Sequence, residues 1–296
     1  MENPRSKPDT STFCIEDALY RAVVEDQTEL ICRFKGNGVL TFVNGAYCRF
    51  FGKTPEELIG RSFYQFLPEA ARRTVETRIA ELGIDKPAVA YEHSVLLPDG
   101  SLGWQEWTDR AVFCTDGRLL EYQSVGRDIT RHKESVAALE VQRDLALALG
   151  LCRDIEESLD AIVEACLRLP GVDGGGIYFL DQASQRLELV THRGLGAEFI
   201  KNVGSYEAAS LQYALMIAGM PAYLDFSDPR FSARETVLRE GLRCMGTIPV
   251  KTCGRSLGVL NIASHTVERI RETSRLAAEA IAGQVGPLLL RKITGC

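Results

Sequence analysis

The apolar positions of this chain switch between a period of two and a period near 3.6, and the switches mark its elements. Residues Leu30–Phe34 and Val39–Asn44 read as strands, with Lys35-Gly36-Asn37-Gly38 between them. Asn-Gly between two apolar runs predicts a hairpin, because both turn positions tolerate positive φ. A short helical pattern precedes this pair at Cys14–Val24, and others follow at Ala46–Phe51, Pro55–Ile59 and Glu69–Leu82. Thr54-Pro-Glu-Glu is a helix start: a Thr cap, Pro at the first helical position and acids in the first turn. Three more strands, Ala88–Leu97, Leu102–Cys114 and Arg118–Arg127, are separated by Pro98-Asp-Gly100 and Thr115-Asp-Gly117. Both turns are Asp-Gly, which predicts an antiparallel meander. Two strands, several helices, then three strands give an α+β arrangement with one five-stranded sheet.

The second half repeats the theme. Residues 175–192 read as strand, turn and strand, 242–264 as a hairpin turning at Thr252–Arg255, and 277–290 as a terminal helix. Between the halves, Ala138, Val141, Leu145, Ala148, Cys152, Ile155, Leu159, Ile162, Cys166 and Leu169 recur at alternating spacings of three and four. Such a stripe is that of a parallel coiled coil joining two protomers. It also suits a helix of 152–169 that faces the core of its own domain, and Gly150 is a possible break between the two segments.

Length and charge narrow the class. The 296 residues suggest two domains, each large enough to bury a core without metal or disulfide staples. A net charge of −6 and a pI near 5.4 argue against a whole-surface nucleic-acid binder. The longest apolar run, Leu145 to Cys152, is far short of a membrane span, and the first residues lack the apolar core of a secretory signal. Nine cysteines without a CxxC pair describe neither a zinc site nor a disulfide framework. The chain therefore reads as cytoplasmic, with reduced thiols and no membrane or nucleic-acid partner.

Two blocks, GVLTFVNGAYCRFFGKTPEELIGRSFYQFLP at 38–68 and LLPDGSLGWQEWTDRAVFCTDGRLLEYQSVGRDITRHKE at 96–134, make residues 18–134 resemble a PAS sensor domain. GGIYFLDQASQRLELVTHRGL at 175–195, AGMPAYL at 218–224 and LRCMGTIPVKTCGRSLGVLNIAS at 242–264 make residues 151–292 resemble a GAF domain. The resemblance implies an α+β protein of two domains, each a central antiparallel sheet with flanking helices, joined by a long helix. The layout expected is a disordered tail at 1–13, the PAS domain at 14–130, a helical and coiled-coil linker at 131–150, and the GAF domain at 151–292.

Several cofactors are weighed against this resemblance. Light-sensing LOV domains carry a reactive cysteine after an element like Glu56-Glu-Leu-Ile-Gly-Arg61, and here Phe63 stands in its place. Gly126 stands where such domains keep a flavin-contacting glutamine, so LOV photochemistry is not expected and Cys48 reads as a core thiol. Haem-binding PAS domains often place a histidine on the long helix, and Glu69–Leu82 contains none; His93 on the next strand is the remaining haem candidate. A non-covalent flavin beside Trp107 is the other coloured cofactor considered. Bilin attachment has no matching flank around Cys14.

Alternation places Tyr91 and His93 on one strand face, Gln105, Trp107 and Asp109 on the next, and Tyr122, Ser124 and Gly126 on the last. By resemblance these faces line the PAS cavity, where Tyr91, His93, Gln105, Trp107, Tyr122 and Ser124 are the ligand-binding candidates; a satisfied polar core is the other reading. Trp104, on the opposite face, is expected to pack against a helix or a partner. In the GAF domain the candidate liners are His192, Tyr206, Tyr213 and Cys244, with Met216 beside them. His192 reads equally as a structural strand-end residue. Asp128, Ile129 and Thr130 end the last strand, can cap the following helix, and by resemblance couple the sheet to it.

No phosphoacceptor histidine box, ATP lid, phosphate loop or hydrolase motif occurs, and His132 lacks the acidic neighbour of such a box. The reading is a non-catalytic, cytoplasmic sensory protein. It detects a small ligand or redox change in a cavity and relays it through a helical linker to an unidentified effector or kinase, as a homodimer. The alternatives are a dimeric interaction scaffold with self-filled cavities, or the detached sensor half of a histidine kinase.

Overall fold

The computed structural model describes residues 19, 21–98, 100–226, 235–252 and 254–294, with 289–294 described by backbone alone. The expected tail, most of the Cys14–Val24 pattern, Asp99 and Cys253 lie outside the described residues. The chain divides into two units, Met1–Arg131 and His132–Cys296.

In the first unit, strands β1 (Leu30–Phe34) and β2 (Leu40–Val43) are followed by helices α1 (Gly45–Phe51), α2 (Pro55–Leu58) and α3 (Glu69–Ala80), with a 3-10 turn at Phe63–Phe66. The meander β3 (Ala88–Leu96), β4 (Leu102–Phe113) and β5 (Leu119–Asp128) completes an antiparallel sheet ordered β2-β1-β5-β4-β3. Gly100 and Gly117 take φ of 80° and 81°, as the Asp-Gly turns require. The β1–β2 turn differs from expectation. Only Gly38 adopts positive φ, at 78°. Asn37 instead accepts the Val39 amide on its side chain, and the pairing slips between Arg33 and Phe34, so the turn closes with a bulge.

One buried side chain ties the first helix to the sheet. Asn44 Oδ1 accepts the amides of Tyr47, as the cap of α1, and of Ile31 in β1, both at 3.0 Å. Its Nδ2 donates to the carbonyls of Val24 and Glu29, so the fully buried amide has all its hydrogen bonds. The alternation along β4 is strict: Gln105, Trp107, Asp109 and Ala111 point inward, while Leu102, Trp104, Glu106, Thr108 and Arg110 point out. Trp104, expected under a helix or a partner, is 41% exposed.

The second unit has a six-stranded sheet ordered β8-β7-β6-β11-β10-β9. Its strands are β6 (Gly174–Asp181), β7 (Arg186–Arg193), β8 (Ser205–Tyr206), β9 (Ala222–Asp225), β10 (Cys244–Thr252) and β11 (Arg255–Ser264). Helices α4 (Thr130–Leu149), α5 (Ile155–Leu167) and α9 (Glu272–Thr294) contribute to the core on one side, and α6 (Ala197–Val203), α7 (Leu211–Ala218) and α8 (Glu235–Glu240) lie towards the other.

The apolar stripe is divided and turned inward. Helix α4 stops at Leu149, and α5 starts afresh with Asp154 as its cap, accepting the Glu157 amide at 2.8 Å. Ala138, Val141 and Leu145, expected to face a second protomer, lie in the unit's own core with Leu159, Ile162 and Ile281. Spacings of three and four describe any apolar helix face; what packs against that face is a tertiary fact. Glu134 on α4 pairs with Arg271 and accepts from Thr273 at 2.7 Å, fixing α4 to the start of α9. Residues 132–150, expected as a separate linker, therefore belong to the second unit.

Candidate functional site

The inward face of the first sheet encloses a cavity of about 30 Å³. Tyr91, His93, Gln105, Trp107 and Ser124 all line it, as the alternation predicts. Tyr122 shares their face and is buried, but it stacks on Phe34 with ring centres 5.3 Å apart and is not among the liners. The remaining wall is mostly aromatic. Phe63 and Phe66 come from the 3-10 turn, Tyr47 and Phe51 from α1, and Phe34 and Cys32 from β1.

The polar groups in this wall form a chain of named partners. Asp109, only 2% exposed, accepts from the Tyr91 hydroxyl at 2.6 Å and the Ser124 hydroxyl at 2.5 Å. Burial pushes its carboxyl above the ordinary range, against the pull of those two donors. The same desolvation holds His93 below the usual imidazole value, so the ring is neutral near pH 7. His93 Nδ1 donates to the Ser94 carbonyl at 2.9 Å, which leaves Nε2 as an acceptor. Trp107 Nε1 donates to Gln105 Oε1 at 2.9 Å, but the buried Gln105 Nε2 has no protein partner. Such an orphaned donor costs roughly 1–3 kcal/mol unless something else accepts from it.

Asp109 gives a testable pH dependence. Its folded-state carboxyl binds its proton more tightly than in the unfolded chain, so the wild type loses stability as pH rises from the ordinary aspartate range, near 4, through the raised value. Asp109→Asn lacks that proton. The difference in melting temperature, variant minus wild type, is expected to grow over this interval and level off above it. Thermal melts at stepped pH check this, and a difference that shrinks with rising pH would refute the burial argument.

Large cofactors do not fit. The Trp107 indole lies across Gly126, where an added Cβ would fall 2.6 Å from its ring atoms, and the space left is that of roughly two or three waters. Neither an isoalloxazine beside Trp107 nor a porphyrin on His93 can enter without dismantling the wall. Cys48, expected as a core thiol, is half-buried on α1 at the edge of the core, and its thiol is raised by burial and by the neighbouring carboxylates of Glu25 and Glu56.

The end of the sheet holds the start of α4. Thr130 N donates to Asp128 Oδ1 at 2.9 Å, the capping that the sequence suggests. Thr130 Oγ1 accepts the Trp104 amide at 2.9 Å, and the Ile129 amide donates to the Trp104 carbonyl at 2.9 Å. Gln105, the next residue of β4, is in register with Asp128.

In the second unit a cavity of about 480 Å³ opens beside the sheet. Tyr206 lines it, but Tyr213, Cys244 and His192 do not. Tyr213 hydrogen-bonds outward to Gln185. Cys244 is on the helix-covered face with Ile248, donating to the Val267 carbonyl, while its neighbour Met245 lines the cavity. His192 pairs with Gly176 near the end of β7, and its buried Nδ1 has no hydrogen-bond partner. Met216 is packed with Tyr178 and Val259. Among the polar liners missed in the sequence, with Asn202, Gln212, Glu235 and Thr236, is Asn261, buried with Oδ1 unpartnered. A lone Asn within the apolar run Val259–Ile262 is the only signal of it.

Family models match both units: PAS fold over residues 24–134 and GAF domain over residues 154–289. The chain carries a PAS domain followed by a GAF domain. The sequence is 26% identical over 194 residues to the two-component sensor PprA of Pseudomonas aeruginosa, covering 60% of this chain and 21% of that protein. The chain thus matches about a fifth of that relative's length. The PAS domain of an HTR-like protein from Haloarcula marismortui is 21% identical, covers 40% of this chain and 96% of its own, and has a TM-score of 0.36. The GAF domain of a phosphoenolpyruvate-protein phosphotransferase from Coxiella burnetii is 16% identical, covering 54% and 98%, with a TM-score of 0.48. The PAS and GAF pair makes this a sensory, signal-transduction chain. Among the described residues no helix is long and apolar enough to cross a membrane.

Proposed function

We propose that the chain is a non-catalytic, cytoplasmic sensory module whose PAS cavity takes a small ligand and passes occupancy to helix α4. A single observation carries this reading. Strand β4 aims the unpartnered Gln105 amide into the cavity, and the residue before it, Trp104, holds Thr130 and Ile129 through its backbone. A ligand that pulls on Gln105 therefore acts on the same few ångströms of strand that anchor the helix. The output is a partner protein, an effector or kinase. The sensor relative supports that part of the reading.

Hydrogen exchange tests the relay without needing the natural ligand. Gln105→Leu removes the unpaired amide and refills the space, and is expected to change exchange at Ile129 and the first turn of α4 severalfold. Thr130→Val keeps the shape but cannot accept from Trp104, and is expected to cancel that change. Equal exchange over 129–135 in the wild type and Gln105→Leu would overturn the relay.

A further inference from the structure

We propose that the PAS cavity selects a small organic ammonium, with Asp109 as its counter-charge and the aromatic wall as its cage. This deepens the ligand-binding reading above and rests on it. The hydroxyls of Tyr91 and Ser124 lie within hydrogen-bond distance of Asp109, one at each oxygen, so that both can donate to its ionised form. Among the described residues that line the cavity there is no lysine or arginine, and the one ionisable nitrogen, on His93, is kept neutral by burial. The ionised carboxylate thus has no cation beside it to balance its charge, which is the cost by which burial raises its carboxyl, and an ammonium bound there would relieve it.

The rest of the wall suits a cation. Tyr47, Phe51, Phe63, Phe66 and Trp107 surround the space with aromatic rings, whose negative faces attract ammonium groups. An acidic ligand would meet Asp109 as a like charge. A purely apolar one would leave the Gln105 amide, 1% exposed, still unpaired. Gln105 Nε2 calls for an acceptor, so the ligand combines an ammonium with an oxygen. The cavity, at about 30 Å³, restricts it to a few heavy atoms.

The test titrates the whole chain with ethanolammonium chloride at constant ionic strength, against propan-1-ol as the neutral isostere and propionate as the acid. Calorimetry gives affinity, and Trp107 emission reports arrival in the cavity. Saturable ethanolammonium binding with a Kd of about 0.1–10 mM is expected, the scale allowed to so few atoms. Propan-1-ol should bind at least about tenfold more weakly, and Asp109→Asn should lose about the same factor for the ammonium. If Asp109→Asn does not fold, the isostere comparison in the wild type still decides. Equal binding of propan-1-ol, or preferred binding of propionate, overturns the ammonium and leaves a ligand cavity standing. Binding by none of the three overturns the ligand reading of this cavity as well.

Discussion

Leu145→Asp should unfold the GAF domain's helical layer and leave the PAS domain folded. Leu145 is 2% exposed and packs among Val141, Leu159, Ile162 and Ile281. Truncating such a side chain costs about 2–5 kcal/mol, and a carboxylate left unpaired there adds its desolvation. The sum is comparable with the whole stability of a domain. The sequence supplies a clean readout, because both tryptophans, Trp104 and Trp107, lie in the first unit. Tryptophan fluorescence should keep its unfolding transition while far-ultraviolet circular dichroism loses the helical signal of the second unit. A coiled-coil seam would behave differently. There the substitution would split a dimer, seen by light scattering, and spare the secondary structure of each chain. An unchanged circular-dichroism melt would show that α4 does not depend on Leu145 for its packing.

That contrast shows what the amino-acid pattern determined locally and what it left to tertiary packing. The strands of the first sheet were legible because β3, β4 and β5 alternate in burial and β1, β3 and β4 each end at a Gly-containing turn. β4 is the clearest, with Gln105, Trp107 and Asp109 inward and Trp104, Glu106 and Thr108 outward. The polar half of the PAS site followed from that alternation alone. Its aromatic half did not, because Tyr47, Phe51, Phe63 and Phe66 come from short helical turns whose orientation depends on packing. Asp109 was placed on the correct face, yet its role depends on hydroxyls from Tyr91 and Ser124 in two neighbouring strands.

The GAF strands hid their faces for a different reason. β10 and β11 are covered on both sides, so their apolar runs carry almost no polar alternation. Cys244 and Met245 are then interchangeable by pattern, and only the sheet register shows that Met245 faces the cavity. The stripe from Ala138 to Leu169 is the same problem in a helix, where spacing gives the buried face and not the identity of what buries it.

Gly126→Val is expected to cost the PAS domain about 1–3 kcal/mol or more, the range for overpacking a core. A Cβ at this position would sit 2.6 Å from three atoms of the Trp107 indole, and the ring has little room to retreat. Trp107 is 7% exposed, faces Tyr47 with ring centres 6.2 Å apart, and is held by its hydrogen bond to Gln105. The free space that Trp107 borders is the cavity, so the displaced indole would move into it and break that bond. Trp107→Ala alone should also destabilise, by about 3–5 kcal/mol, through the void it leaves. The two losses should not add. In the Trp107→Ala background the valine meets empty space, and a double-mutant cycle should return a favourable coupling of about 0.5–3 kcal/mol. Chemical denaturation of the four variants, followed by circular dichroism, measures it. Strict additivity would mean that Gly126 is required for its backbone and not for the indole across it. Coupling as expected would make the glycine the floor on which Trp107 rests, and so the residue that sets how small the cavity is.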